Sequence, residues 1–177
     1  MKLVVLDRDG VINCDSVHFI KSTNEWIPIP GSLEAIALLN QSGYRVAIAT
    51  NQSGISRGLF DMVTLNAIHD KMHKALGQLG GRVDAMFYCP HSAEDNCSCR
   101  KPKPGMMEEI GRRFSQDMKG VPIVGDALRD LQAGAVLGMQ PILVRTGKGE
   151  ETLAVGGLPE GTLVFADLAE AVQHIIS

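Results

Sequence analysis

Long apolar runs are missing from this chain of 177 residues. A bilayer span needs about twenty consecutive apolar residues, so a membrane-spanning protein is excluded as a reading. An excess of positive charge is missing too. The 17 Lys and Arg against 20 Asp and Glu leave a formal net charge of −3, which argues against a general binder of nucleic acid or of anionic membrane. There is no internal repeat, low-complexity segment or linker-like stretch, so a single domain over residues 1–177 is expected. The amino terminus reads as a strand ending in charges rather than a signal peptide, and a cytoplasmic location is expected. Cysteine is scarce. Of the four, Cys14 stands apart and Cys89, Cys97 and Cys99 cluster, which in a cytoplasmic chain points to metal binding before disulfides.

What is present is organised around Leu3-Val4-Val5-Leu6-Asp7-Arg8-Asp9-Gly10. Four apolar residues run into two carboxylates, as a strand buried on both faces of a parallel sheet would. Ligands of open α/β sheets bind at the carboxyl ends of strands, which places Asp7 and Asp9 at the mouth of the sheet. Residues 11–30, with Trp26, Pro28 and Pro30, read as an irregular flap over that mouth. Ser32 is expected to cap a helix to about Ser42. A second strand over 44–50 ends in Asn51-Gln52-Ser53-Gly54. Asp61 caps a second helix whose apolar face is Leu65, Ile68, Met72, Ala75 and Leu79. A third strand over 83–88 leads into the cysteine-rich loop, and Pro104-Gly105 opens a helix to about Phe114. A fourth strand, 121–126, again ends in a carboxylate, Asp126, and precedes a helix over 127–137. Strands at 141–144 and 163–165 follow, and Asp167 caps a last helix. The alternation predicts an α/β fold, with a doubly wound, mainly parallel Rossmann-like sheet and helices on both faces.

Several polar strand ends should therefore share one edge: Asp7, Asp9, Thr50 and Asp126. Carboxylates crowded there suit Mg²⁺, which prefers oxygen ligands and shares its shell with a substrate phosphate. Asp7, Asp126 and the Asp9 carbonyl make the expected site, with Asp130 as a supporting carboxylate. Asp7 would be a nucleophile that forms an aspartyl phosphate, and Asp9 the acid and base. Thr50, Asn51 and Lys101 would meet the transferred phosphoryl group. Cys89, His91, Cys97 and Cys99 have the donors of a closed tetrahedral zinc site, structural because no position stays open for water, with surface disulfides or free thiols as the plainer alternative. Other residues read as inert. His69 and His73 form a solvated helix face, Cys14 is a small buried residue, Met106-Met107 is core, and Gly147-Lys148-Gly149-Glu150 is a connection.

Asp7-Arg8-Asp9-Gly10, Thr50-Asn51-Gln52-Ser53-Gly54, Arg100-Lys101-Pro102 and Gly125-Asp126 followed by Asp130 resemble, in order, the four motifs of the haloacid dehalogenase superfamily of phosphatases. The absence of a large inserted cap resembles its minimal-cap branch. The zinc loop, with residues 51–58 and 100–105, is similar to the heptose bisphosphate phosphatases of that superfamily, which implies a sugar-phosphate substrate in the synthesis of lipopolysaccharide or related glycans. The resemblance implies a pocket formed by Asp15, Asn51, Gln52, Ser53, Arg57 and Arg100; a monomer is expected, without nucleic-acid or membrane partners. Two departures stand out: Ala127 where several relatives carry a substrate-contacting lysine, and an unusual flap at Asp15-Ser16-Val17-His18-Phe19-Ile20. A histidinol-phosphate phosphatase and a receiver-type phosphoacceptor domain are the alternatives.

Overall fold

A computed structural model describes residues 1–177. Six parallel strands form one sheet in the order β3-β2-β1-β4-β5-β6, with β1 Leu3–Leu6, β2 Arg45–Asn51, β3 Ala85–Cys89, β4 Pro122–Gly125, β5 Gln140–Val144 and β6 Leu163–Phe165. The helices are α1 Ser32–Gln41, α2 Met62–Gln78, α3 Gly105–Phe114, α4 Leu128–Ala135, α5 Gly149–Val155 and α6 Leu168–Ile176. The expected doubly wound fold is what forms.

Alternation along the strands builds two cores. Val4 and Leu6 of β1 face a cluster with Ile36, Ile68, Met72 and Val172 from α1, α2 and α6. Leu3 and Val5 face the other side, with Met106, Met107 and Ile110 of α3 and Ala133 of α4. With helices on both faces, all four residues of β1 are buried, which is why the strand reads as an unbroken apolar run. Strand order reverses at β1, whose neighbours are β2 and β4, and the crevice at such a reversal is where ligands of these sheets bind.

Several local expectations need correction. Ser32 does not cap α1. Gly31 takes that position in a left-handed conformation, and the Ser32 hydroxyl donates instead to the Val11 carbonyl at 2.8 Å, tying the helix start to the flap. On α2, Asp61 does cap, accepting from the Thr64 N–H, but Leu76 rather than Leu79 closes the buried stripe and Leu79 is exposed. Trp26 lies in the first core rather than over the sheet mouth. Cys14 is exposed, not buried. His69 is buried, not solvated. Residues 147–150 do not merely connect, because Gly149 opens α5 and the loop before it closes on the strand ends. No helix is long and apolar enough to cross a membrane.

Candidate active site

β1 and β4 are adjacent, so Asp7 and Asp126, each just past its strand, meet at the reversal point. They border a cleft of about 330 Å³ whose fifteen lining residues include only two hydrophobic ones. Asp9, Thr50, Asn51, Ser53 and Lys101 line the same cleft. So do Asp15, Arg57 and Arg100 nearer the rim. Residues distant in sequence are thus brought to one cleft.

Lys101 is almost wholly buried. Its ammonium lies 2.6 Å from Asp130 Oδ1 and 3.0 Å from Asp7 Oδ1, and donates to the Ala49 carbonyl at 2.7 Å. Burial opposes its charge, but Asp130 and Asp7 outweigh that and raise its pKa. Asp130 is fully buried, and its second oxygen accepts the Ala127 N–H at 3.1 Å, so it anchors the lysine and the start of α4 together. Asp7 Oδ1 also accepts the Arg8 N–H at 2.8 Å, while no hydrogen bond reaches Oδ2. Asn51 is committed to the Lys101 backbone, accepting its N–H at 3.0 Å and donating to its carbonyl at 3.2 Å. Gln52 is not on the cleft wall. It is buried, and its amide donates to Thr50 Oγ1 at 2.9 Å and to Asp9 Oδ2 at 3.3 Å.

The carboxylates are electrostatically unbalanced. Ligand oxygens of Asp7, Asp126 and Asp130 lie within 4.8 Å of one another, with one ammonium among them. Burial, then the Asp130 charge, pushes the Asp7 carboxyl up to about 6. Burial, then Asp7 and Asp130, pushes Asp126 up to about 8. Such a cluster favours a further positive charge, and a divalent cation would restore both to the ionised form. The donors fit a hard cation: Asp7, Asp126, and the Asp9 carbonyl, which accepts no hydrogen bond within the chain. Asp9 differs. Burial works against its charge, but the Arg8 guanidinium and hydrogen bonds from Arg8, Asn13 and Gln52 hold it below the usual carboxylate range.

Two glycines let the backbone close around Asp126. A Cβ on Gly10, at φ +85°, would stand 2.0 Å from Asp126 Oδ2, and one on Gly147, at φ +56°, would stand 2.3 Å from it. Neither position admits a side chain. Lys148 N–H then donates to Asp126 Oδ2 at 2.9 Å, and Thr152 Oγ1 donates to the Asp126 carbonyl at 2.8 Å. Lys148 also pairs with Asp15 of the flap at 3.4 Å.

Two cleft residues escaped the sequence reading. Lys148 stands in a Gly-Lys-Gly that reads locally as a connection, and Arg129, on α4 and between Asp126 and Asp130 in sequence, carries no motif of its own. Burial opposes its charge, yet Asp130, Asp7 and Asp126 raise its pKa, and its Nε is buried without a hydrogen-bond partner.

The second cluster is the loop after β3. Cys89 Sγ lies 3.5 Å from both His91 Nδ1 and Cys97 Sγ and 2.7 Å from Cys99 Sγ. All three cysteines are free, and the four donors fall within 4.8 Å of one another, which fits a tetrahedral zinc site. The Arg100 N–H donates to Cys97 Sγ at 3.4 Å. Burial opposes the Cys97 thiolate, but that N–H and the neighbouring thiols bring it down to about 6, while burial pushes Cys89 up. Arg100 also donates to the His91 carbonyl at 3.2 Å, so the loop holds Arg100 and Lys101 facing the cleft.

A family model described as HAD-hydrolase-like matches residues 98–171. The chain is 61% identical to D-glycero-beta-D-manno-heptose-1,7-bisphosphate 7-phosphatase of Bordetella bronchiseptica, covering 99% of this chain and 98% of that protein. It is 51% identical to the Pseudomonas aeruginosa protein of the same name, covering 98% and 97%. It superposes with a TM-score of 0.98 on the crystal structure of the B. bronchiseptica D,D-heptose 1,7-bisphosphate phosphatase complexed with magnesium and phosphate, covering 99% of this chain and 98% of that one.

Proposed function

Because the chain belongs to the D-glycero-β-D-manno-heptose-1,7-bisphosphate 7-phosphatase family of HAD-like hydrolases, we propose that it removes the 7-phosphate of that heptose bisphosphate through an aspartyl phosphate on Asp7. In this reading residues 1–177 work as one phosphatase domain, and the product feeds the heptose precursors of lipopolysaccharide or related glycans. The observation that carries the proposal is the meeting of Asp7, Asp9, Asp126 and Lys101 around one polar cleft at the strand-order reversal.

Asp7 Oδ2 has no hydrogen bond and is the oxygen free to attack phosphorus, while Lys101 and the Arg8 N–H hold Oδ1. The bond from phosphorus to the C7 oxygen breaks, its electron pair stays on that oxygen, and Asp9 supplies the proton that makes it an alcohol. Asp9 is held below the usual range in the free site, and an arriving phosphate dianion raises its affinity for that proton. Water then attacks the phosphorus of the aspartyl phosphate and gives its proton to Asp9. The bond to Asp7 breaks, and inorganic phosphate leaves. Lys101 and the Thr50 hydroxyl meet the phosphoryl oxygens. Magnesium would be held by Asp7, Asp126 and the Asp9 carbonyl. When bound, it would offset the charge of the carboxylates and of the phosphate. Arg57, Arg100, Arg129 and Lys148 on the cleft wall supply positive charge for the second phosphate of a bisphosphate. Zinc would stiffen the loop that presents Arg100 and Lys101.

Family membership sets aside the receiver-type alternative. The direct test is phosphate release with Mg²⁺ from the β heptose bisphosphate, with histidinol phosphate as comparator and Asp7→Asn as control. Rapid release from the bisphosphate that is lost in Asp7→Asn is expected. Preference for histidinol phosphate would overturn the substrate, and wild-type turnover by Asp7→Asn would overturn the mechanism.

A further inference from the structure

Arg8 lies between the two motif carboxylates but does not reach the cleft. It has no exposed surface and is among the largest wholly buried side chains of the protein. Burying a guanidinium strips it of hydration, so its partners must be well placed. Its Nε donates to Asp9 Oδ1 at 2.9 Å, its Nη1 lies 3.1 Å from His69 Nε2, and its Nη2 has no partner. His69 stands on the inward stripe of α2 among Leu65, Ile68 and Met72. Burial, reinforced by the Arg8 charge, drops its pKa to about 3, so at neutral pH the ring is uncharged. With Arg8 Nη1 as the donor, His69 Nε2 must be the acceptor and Nδ1 must carry the hydrogen.

The other end of this chain of contacts bears on proton transfer. Asp9 Oδ1 accepts from Arg8 and also from Asn13 Nδ2 at 2.9 Å, whereas Oδ2 meets only the longer Gln52 contact of 3.3 Å. A proton on Oδ1 would point at two N–H donors, while Oδ2 is left to hold and release one.

We propose that Arg8 and His69 are positioning residues for the reaction: a buried strut from α2 through the guanidinium to Asp9 that reserves Oδ2 as its proton-carrying oxygen. The proposal rests on the reading of Asp9 as acid and base given above. Its geometric content is specific, because a planar guanidinium fixes direction as well as distance, and turning it about Nε would release Asp9 to rotate. Neither residue touches substrate, so affinity should be spared and proton transfer impaired.

The test compares wild type, Asp9→Asn, His69→Leu and His69→Gln on the heptose bisphosphate and on p-nitrophenyl phosphate, whose leaving group departs without a proton. His69→Leu should lower kcat on the sugar phosphate roughly tenfold with KM within about twofold, since misplacing a catalytic group costs rate rather than binding. Its burst of nitrophenol should stay within about threefold of wild type, and His69→Gln, which keeps an acceptor, should recover most of the loss. Wild-type kcat in His69→Leu, or a nitrophenol burst slowed as much as turnover of the sugar phosphate without recovery in His69→Gln, would overturn the strut while Asp9→Asn remains inactive on the sugar phosphate. An active Asp9→Asn would instead overturn the underlying reading. A measurement that needs no variant is the histidine ¹⁵N spectrum of the wild-type protein at neutral pH. His69 should be the Nδ1–H tautomer, and an Nε2–H or doubly protonated ring would overturn the proposal even if His69→Leu fails to fold.

Discussion

The protein holds two clusters suited to metals, and they are built in opposite ways. The carboxylate cleft draws Asp7, Asp126 and Asp130 from the ends of two adjacent strands and the first turn of α4, with Lys101 inserted from elsewhere. Its parts are placed by a packed sheet and by buried hydrogen bonds, so the protein itself holds the geometry. The sulfur cluster takes Cys89 from the last residue of β3 and its other three donors from the loop that follows, whose regular structure is limited to the short 3₁₀ turn Ala93–Asp95. There the ion would supply the order that the sheet supplies at the cleft. A hard cation shared with substrate sits at a preformed mouth, while a soft, fully ligated one closes a loop. The two meet through chain connectivity, since Arg100 and Lys101 follow Cys99 directly.

The sharpest way to separate them is Asp7→Asn. Loss of the attacking carboxylate should cut kcat by at least about a thousandfold, with zinc content and melting behaviour largely kept. Steady-state phosphate release with metal analysis of the same sample checks this, and loss of zinc in the variant would show that the clusters are not independent. Cys99→Ser breaks the comparison from the other side. It should abolish stoichiometric zinc and, by freeing the loop that carries Lys101, lower kcat by about 10–100-fold, the range typical for supporting groups. Unchanged kcat in zinc-free protein would mean that the buried pairs of Lys101 with Asp7 and Asp130 suffice to place it.

The cleft's dependence on protein groups also predicts a pH effect. His69 has a folded pKa of about 3, well below its unfolded value, so the unfolded chain binds the proton. The stabilisation is complete above pH about 6.5 and is lost as pH falls towards 3, reaching about 2 kcal/mol by pH 5. Urea unfolding at pH 7.5 and 5 should show wild type losing about that much relative to His69→Gln, a comparison in which Asp7 and Asp126, whose raised carboxyls work in the opposite sense over this range, cancel. The smallest effect concerns the rim. Arg129→Ala should raise KM for the bisphosphate about fivefold and change that for p-nitrophenyl phosphate little, because a half-buried cation serves only a second phosphate. Equal changes on both substrates would move Arg129 to the transferred phosphoryl group.

His69 shows how far sequence reasoning reached and where it stopped. Its spacing from Leu65, Met72 and Leu76 already placed it on the inward stripe of α2, yet the pairing with His73 suggested a solvated face. The missing fact was Arg8, sixty-one residues away, whose buried guanidinium gives a polar ring a partner in the core. Lys148 was missed for a related reason. A Gly-Lys-Gly looks like a connection until Gly10 and Gly147 are seen to close on the Asp126 carboxylate from both sides. Gln52 and Asn51 were found, but their amides hold Asp9, Thr50 and the Lys101 backbone.

Sequence alone carried the parallel α/β sheet, the strand ends with Asp7, Asp9, Thr50 and Asp126, and the sulfur loop that leads to Lys101. Those features are written in hydrophobic periodicity, turn residues and short spacings, which act over a few residues. Tertiary structure alone decided which amides support other side chains rather than face the cleft, which histidine is buried, and which cations line the rim. Those outcomes depend on contacts between segments far apart in the chain, where packing and desolvation, not local propensity, select the partner of each polar group.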